Sequence, residues 1–152
     1  MKVYLAADHR GFKLKEHLKA FLVGLGYDVA DVGAHEYDPA DDYPDFAYPA
    51  ARFVAAEEAR GILLCGSGAG VLIVANKVPG IRAAAGFSEK EVVASRVDDD
   101  SNVLTISADE CSVEETETFS RLFLETPFSG EERHVRRLSK LIDIERAHMR
   151  EL

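Results

Sequence analysis

Gly61-Ile62-Leu63-Leu64-Cys65-Gly66-Ser67-Gly68-Ala69-Gly70 is the stretch that decides how the rest of the chain reads. Gly61 to Cys65 is a short apolar run, of the kind that forms a strand buried on both faces. Gly66 to Gly70 is a glycine-rich turn, and Val71 to Lys77 reads as the helix that it opens. A strand entering a helix through such a turn is one βα unit of a parallel sheet. The same alternation continues in both directions. Upstream, Val3 to Ala7 reads as a strand, Phe12 to Leu25 as a helix closed by Gly26, Tyr27 to Val32 as a strand, Gly33 to Tyr43 as a loop and Phe46 to Ala59 as a helix. Downstream, Ile81 to Gly86 reads as a strand, Ser88 to Val97 as a helix with Ser88 as its cap, and Val103 to Ile106 as the fifth strand. Two helices, Glu114 to Glu125 and Arg133 to Arg150, follow, with Thr126 to Gly130 as a hinge between them. The pattern predicts an α/β domain with a five-stranded parallel sheet covered on both faces.

The bulk properties fit one domain. The chain has 152 residues, 47% of them hydrophobic, enough for a sizeable core. Its net charge is -9, from 27 acidic and 18 basic residues, which argues against nucleic acid as the main partner. No apolar run approaches the length of a membrane span, and no leader pattern precedes Val3, so the expected location is cytoplasmic. The two cysteines, Cys65 and Cys111, do not make a disulfide framework. Residues 1–152 are read as a single domain in which 131–152 form a charged C-terminal helix, packed on a partner subunit or solvated.

Ligands of parallel sheets bind beyond the carboxyl ends of the strands. Asp8-His9-Arg10-Gly11 follows strand one and Cys65 to Gly70 follows strand three. The glycines of the turn permit close backbone approach, and successive N–H groups there make an anion-binding nest. The same glycines also suit a plain tight turn. A thiol at a helix N-terminus is expected to ionise more readily, and a thiolate beside N–H donors suits abstraction of a proton alpha to a carbonyl. Taken alone, Cys65 also reads as a small buried hydrophobe, Asp8 as a helix cap, and the Arg133/Arg137 pair as a solvated basic face. Asp98 to Asn102 falls before strand five, on the opposite edge of the sheet from Cys65. It is expected to meet that site only by wrapping around it or from another subunit.

Together these residues resemble the ribose-5-phosphate isomerase B family, which includes the subunits of galactose-6-phosphate isomerase. The resemblance is carried by Ala7-Asp8-His9-Arg10-Gly11, Asp42-Tyr43-Pro44, the Gly61 to Gly70 block, Ala75-Asn76-Lys77, Gly80-Ile81-Arg82-Ala83, Ser101-Asn102-Val103-Leu104, Thr126-Pro127-Phe128, Gly130 and Arg133-His134. It implies a Rossmann-like three-layer sandwich with a protruding C-terminal helix, and aldose–ketose isomerisation of a sugar phosphate through a cis-enediol. It implies a homodimer with shared active sites, or a tetramer, and no metal or organic cofactor. By the same resemblance Cys65 is the base and Ser67 a proton-moving hydroxyl. Gly66, Gly68, Ala69 and Gly70 form the oxyanion cradle, Asp8 holds substrate hydroxyls, and His9, Arg133 and Arg137 hold phosphate. One branch of the family places a Glu where this chain has Val71, so the chain sorts with the Cys branch.

Two departures bear on the substrate. Where the family carries a ring-opening His followed by Asn, this chain has Asp98 and Asp99; where many members have a phosphate-binding Arg, it has Asp109. Reversing a charge near a dianion is expected to weaken binding. Three readings follow: an isomerase for an open-chain substrate such as a tetrulose phosphate; a ribose-phosphate isomerase in which Asp98 or Asp99 opens the ring; or a fold-preserving protein, for example a non-catalytic binding subunit, with lost or exchanged activity.

Overall fold

The computed structural model describes residues 1–150. The last two residues of the expected C-terminal helix, 151 and 152, lie outside the described residues. The chain runs β1 (Lys2–Ala7), α1 (Phe12–Gly24), β2 (Asp28–Asp31), α2 (Pro44–Glu57), β3 (Arg60–Cys65), α3 (Ala69–Ala75), β4 (Ala83–Ala85), α4 (Glu89–Asp99), β5 (Val103–Ser107), α5 (Val113–Glu125) and α6 (Glu132–Arg150). The five strands form one parallel sheet in the order β2-β1-β3-β5-β4.

Side-chain alternation along the strands builds two cores, as a sheet buried on both faces requires. Val3, Leu5 and Ala7 of β1, Ile62 and Leu64 of β3, and Leu104 and Ile106 of β5 pack with Leu18 and Leu22 of α1, Val92 of α4, and Phe119 and Phe123 of α5. The intervening residues Tyr4, Ala6, Leu63 and Cys65 face the other way. They pack with Ala47, Ala50, Ala51 and Val54 of α2 and Val71 and Ala75 of α3. Each fully buried Leu or Ile contributes about 1.5–3 kcal/mol. The small residues of α2 and α3 let those helices lie close to the sheet. The result is the expected three-layer α/β sandwich.

The ends of the elements follow local chemistry. Gly26, at φ +88°, ends α1. The Ser88 hydroxyl accepts from Glu91 N at 3.3 Å and caps α4. Ser112 and Glu115 form a capping box on α5. α2 begins at Pro44, two residues before the expected Phe46, because proline lacks only an N–H that the first turn leaves free. β4 is three residues rather than six. The backbone of Gly80 and Arg82 is engaged by the Asn102 side chain, through Nδ2 to Gly80 O and Arg82 N to Oδ1, each 2.8 Å, instead of by a ladder.

One ionic cluster lies within the fold. The Lys15 side chain is 0% exposed, and its Nζ sits 2.7 Å from both carboxylate oxygens of Asp31 and 2.7 Å from Glu16 Oε1. Lys19 Nζ reaches Asp31 Oδ2 at 2.8 Å. Burial pushes the Asp31 carboxyl up, but hydrogen bonds from Lys15, Lys19 and the Gly33 N–H outweigh it and hold the group down at about 2.

α6 projects from the sandwich. His134 is the one buried residue of this helix, while Val135, Leu141, Ile142, Ile144 and Met149 are exposed. Glu145 Oε1 accepts from Gly80 N at 2.8 Å, which ties the helix to the loop before β4. Between them lies an open cleft of about 870 Å³, lined in part by Ile81, Leu141, Ile144 and Met149. It opens on the amino-terminal edge of the sheet and holds no thiol, so its size does not make it the site of the chemistry. No helix among the described residues is long and apolar enough to cross a membrane.

Candidate active site

In the observed strand order the chain leaves β1 toward β2 on one side and continues from β3 toward β5 on the other. The order therefore reverses between β1 and β3, where an α/β sheet opens a crevice at its carboxyl edge. The segments beginning at Asp8 and at Cys65 leave the sheet side by side at that point.

Cys65 is the last residue of β3 and 4% exposed. Its side chain belongs to the apolar core of the α2/α3 face, as the hydrophobe reading expected. Its sulfur is nevertheless not surrounded by hydrocarbon alone: Gly68 N donates to Sγ at 3.2 Å. Gly68 has φ +76° and immediately precedes α3, so the turn aims its amide back at the thiol. The exposed Ser67 hydroxyl accepts from Ala69 N at 3.3 Å. Three strands of contact stitch the turn to the end of β5. Ala108 N donates to Cys65 O at 2.9 Å, Asp109 N to Gly66 O at 3.0 Å, and Ser107 Oγ to Gly66 O at 2.8 Å.

The glycines of the turn lie close to their surroundings, and Gly68 is the one held by backbone. A Cβ on Gly68 would lie 3.1 Å from Ile106 C and Ser107 N. One on Gly70 would meet the Tyr43 ring at 2.8–3.0 Å, and one on Gly66 the Arg10 guanidinium at 2.6–2.8 Å. Gly68→Ala therefore combines a left-handed backbone, which costs an L-residue about 1–2 kcal/mol, with a backbone clash. We expect its melting temperature to drop by roughly 3–8 °C with a larger fractional loss of turnover, measured by calorimetry and initial rates. An unchanged melting temperature would contradict this account of the turn.

Asp8 is 6% exposed and, rather than capping α1, whose N-cap is Gly11, it braces the turn before the helix: Oδ1 accepts from Arg10 N at 3.0 Å and Gly11 N at 3.1 Å. His9 Nδ1–H donates to Asp41 Oδ1 at 2.7 Å, and the same oxygen accepts from His9 N at 2.9 Å. Asp41 thus fixes the imidazole so that Nε2 is free for a ligand. The hydrogen bond to Asp41 raises the His9 pKa above its ordinary value, against a smaller opposing effect of burial. A raised folded value means that the pair's contribution is fully present below the ordinary value of about 6.5 and is lost as pH rises through the raised one. Asp41→Asn should move the His9 titration, followed by NMR, to lower pH; an unmoved titration would remove Asp41 from this role.

The remaining expected site residues lie elsewhere. Gly61 N donates to Asn102 O at 2.9 Å at the amino end of β3, which puts Asp98 to Asn102 on the edge opposite Cys65. Asp98 Oδ1 is 3.5 Å from Nε2 of the buried His134, whose Nδ1 meets Ser129 Oγ at 2.7 Å. Arg133, paired with Glu131 at 2.8 Å, and the exposed Arg137 belong to this same α6 region. Within one chain, Asp98, Asp99, Arg133 and Arg137 do not meet Cys65. Within the acidic run Asp98 to Asp100, Asp99 is exposed while Asp100 is drawn into the fold. Asp100, in a left-handed conformation, accepts from Arg96 at 2.8 Å and Arg82 at 3.0 Å, with Arg60 at 3.8 Å. Burial, followed by the charges of Arg96 and Arg82, lowers the Arg60 pKa despite Asp100.

Three residues of the crevice were not singled out from sequence. Asp41 was passed over as one acid in a polar loop, Tyr43 was noted only inside Asp42-Tyr43-Pro44, and Arg10 only inside the segment after β1. Nothing local to them marks a site. Their meaning comes from partners 27 to 99 positions away, as Gly70, His9 and Asp109 show.

A family model described as Ribose/Galactose Isomerase matches residues 3–141. The chain belongs to this family. It is 41% identical over 149 residues to the ribose-5-phosphate isomerase B of Mycolicibacterium paratuberculosis, covering 97% of this chain and 94% of that one. Among solved structures, ribose-5-phosphate isomerase B of Mycoplasma genitalium with bound ribulose-5-phosphate superimposes with a TM-score of 0.92 at 38% identity, over 95% of this chain and 96% of that one. The type B ribose 5-phosphate isomerase of Trypanosoma cruzi gives 0.92 at 39%, over 97% and 100%. Family membership makes the chain an isomerase and gives the crevice at Cys65 its chemical context. Matches that span the whole sandwich and reach into α6 also fit a fold kept intact in this relative.

Proposed function

We propose that this chain interconverts an aldose phosphate and its ketose phosphate through a cis-enediol, with Cys65 as the base. The observation that carries the reading is the Gly68 amide donating to Sγ at 3.2 Å, at the carboxyl end of β3. An amide aimed at the sulfur holds it in one place and stabilises negative charge there. The thiolate takes the proton from the carbon beside the carbonyl. The C–H electron pair becomes the enediolate double bond, and the carbonyl oxygen takes up the charge, facing the N–H groups of Gly66 to Gly70. Ser67 passes the hydroxyl proton from one enediol oxygen to the other. The thiol then returns its proton to the neighbouring carbon, which regenerates the thiolate and completes the transfer without cofactor or metal.

His9, fixed by Asp41, offers a cation for the phosphate, and Asp8 lies beside it for a substrate hydroxyl. The site is completed by a second copy of the chain, whose Asp98, Asp99, Arg133 and Arg137 reach over the crevice. In this reading the enzyme is a cytoplasmic homodimer, or a tetramer made of two such dimers, with a small-molecule sugar phosphate and neither nucleic acid nor membrane as its partner.

Ribose 5-phosphate and ribulose 5-phosphate are the first substrates to test, because relatives named for ribose 5-phosphate are about 40% identical across the whole chain. A second reading, a tetrulose phosphate, is favoured by one observation. Asp98 stands where a ring-opening His is expected, and a carboxylate is a weaker base than an imidazole for moving that proton at neutral pH. A four-carbon 4-phosphate cannot close a furanose ring and needs no such group. The experiment is an isomerisation screen of phosphorylated and free aldoses of four to six carbons in deuterated water, followed by NMR. Solvent deuterium at C2 of a phosphorylated aldose is the expected result. Absence of both ketose and exchange in every phosphorylated sugar would overturn the reading, and conversion of the four-carbon ester alone would decide for the tetrulose.

A further inference from the structure

The ion pair between Arg10 and Asp109 belongs to the rim of the Cys65 crevice and is not used by the chemistry above. The Arg10 backbone is held by the Asp8 carboxylate, and its guanidinium lies flat over Gly66, so close that a Cβ there would meet Nε and Cζ at 2.6 Å. Its Nη2 donates to Asp109 Oδ2. Asp109 is itself anchored, since its backbone N donates to Gly66 O at 3.0 Å. Arginine, thiol turn and carboxylate are therefore one connected unit. The side chains of Arg10 and Asp109 remain 56% and 40% exposed.

A guanidinium carries five N–H donors in a planar fork. Asp109 is the one side-chain partner of Arg10 among the described residues. The other donors are open to a planar or tetrahedral anion that accepts two bonds at once. A half-exposed ion pair is held weakly, because water screens it and two long side chains must be ordered to make it. A dianion arriving at the crevice meets opposite demands. It is drawn to Arg10 and repelled by Asp109, so it gains the guanidinium only as the carboxylate lets go.

We propose that Arg10 is a specificity-determining contact for the anionic group of the substrate, and that Asp109 competes with that group for it. Asp109 occupies the guanidinium in the empty site and sets how much negative charge a ligand must bring to displace it. A singly charged or uncharged sugar does not displace it; a phosphate monoester dianion does. This rests on the sugar-phosphate reading for its substrate, but not on turnover for its test.

The test compares the native chain with Arg10→Gln, Asp109→Asn and the double variant. Binding of inorganic phosphate is followed by phosphorus NMR line broadening, beside KM and kcat for whichever sugar phosphate the screen finds. Melting temperatures establish that each variant folds. Arg10→Gln should weaken phosphate binding and raise KM by about tenfold or more with kcat changed less than about threefold. Asp109→Asn should do the reverse, tightening phosphate and lowering KM by about threefold or more. In the Arg10→Gln background the Asp109→Asn change should have a clearly smaller effect, about twofold or less, because only the repulsion between carboxylate and dianion is then left to remove. Arg10→Lys should recover part of the affinity. Opposite-signed single effects with this non-additivity support the proposal. An Asp109→Asn variant that weakens binding like Arg10→Gln would make the carboxylate a mere brace and overturn it, as would additive effects or phosphate binding indifferent to both residues. If no sugar phosphate turns over while phosphate binding still follows Arg10, the isomerase reading fails and this one stands.

Discussion

Cys65→Ala and Cys65→Ser should each lower kcat by about a thousandfold or more while the protein stays folded. The two variants fail for one chemical reason and differ in a structural one. Neither alanine nor a serine hydroxyl can act as a base at neutral pH. Serine keeps an acceptor for the Gly68 amide, now 3.2 Å from sulfur, whereas alanine leaves that N–H without its partner. A buried donor left unsatisfied costs about 1–3 kcal/mol, so the alanine variant should melt a few degrees below the serine variant. Rates from the NMR assay and melting curves from calorimetry check both halves. Activity within about tenfold of native in either variant would take Cys65 out of the mechanism. Cys65 is 4% exposed and its sulfur is held by the Gly68 amide, so a displaced turn also displaces the base. This is why mutating that turn should hurt turnover more than stability.

The largest effect on stability is expected at Asp31, far from the chemistry. Asp31→Asn leaves the wholly buried Lys15 ammonium with only Glu16, whose side chain is 41% exposed, as its acidic partner. Breaking one side of a buried ion pair costs about 3–5 kcal/mol, which for a domain of this size lowers the melting temperature by roughly 6–20 °C. Lys15→Met should cost less, because Asp31 keeps Lys19 at 2.8 Å and the methionine fills the vacated channel. The pH dependence has a definite sign. The folded pKa of Asp31 is depressed to about 2. Its stabilisation is therefore complete above the ordinary carboxyl value of about 4 and is lost as pH falls from there toward 2. Acid denaturation of Asp31→Asn, followed by circular dichroism, should lack the part of the slope that this group supplies. Equal melting temperatures for native protein and Asp31→Asn would show that Lys15 finds other solvation.

Much of the fold was legible because its determinants are local. The order of strands and helices, the Gly26 stop and the Ser88 cap follow from periodicity and from backbone groups within a few residues of each other. Cys65 and its glycines were legible as a candidate for the same reason, since a strand end, a turn and a helix start are contiguous. Asp41, Tyr43 and Arg10 were not, because a charged or aromatic residue in a loop acquires a role only from what it faces. The acidic run shows the same limit in reverse. Asp98, Asp99 and Asp100 look alike in the sequence, yet Asp100 is gathered in by three arginines from separate segments while Asp98 turns to His134.

The amino-acid sequence by itself determined the βα alternation, the two-faced burial of the strands and the pairing of a thiol with a glycine turn, since hydrophobic period and turn chemistry act over one or two turns of chain. Tertiary structure alone decided that β1 and β3 would lie side by side at the reversal of strand order. It alone joined Arg10 to Asp109 across 99 positions. It also brought α6, with His134, to the edge where chain order had already put Asp98. The physical reason is that packing two apolar faces against a sheet fixes which ends of the strands share an edge, and polar side chains then pair with whatever that edge brings within reach.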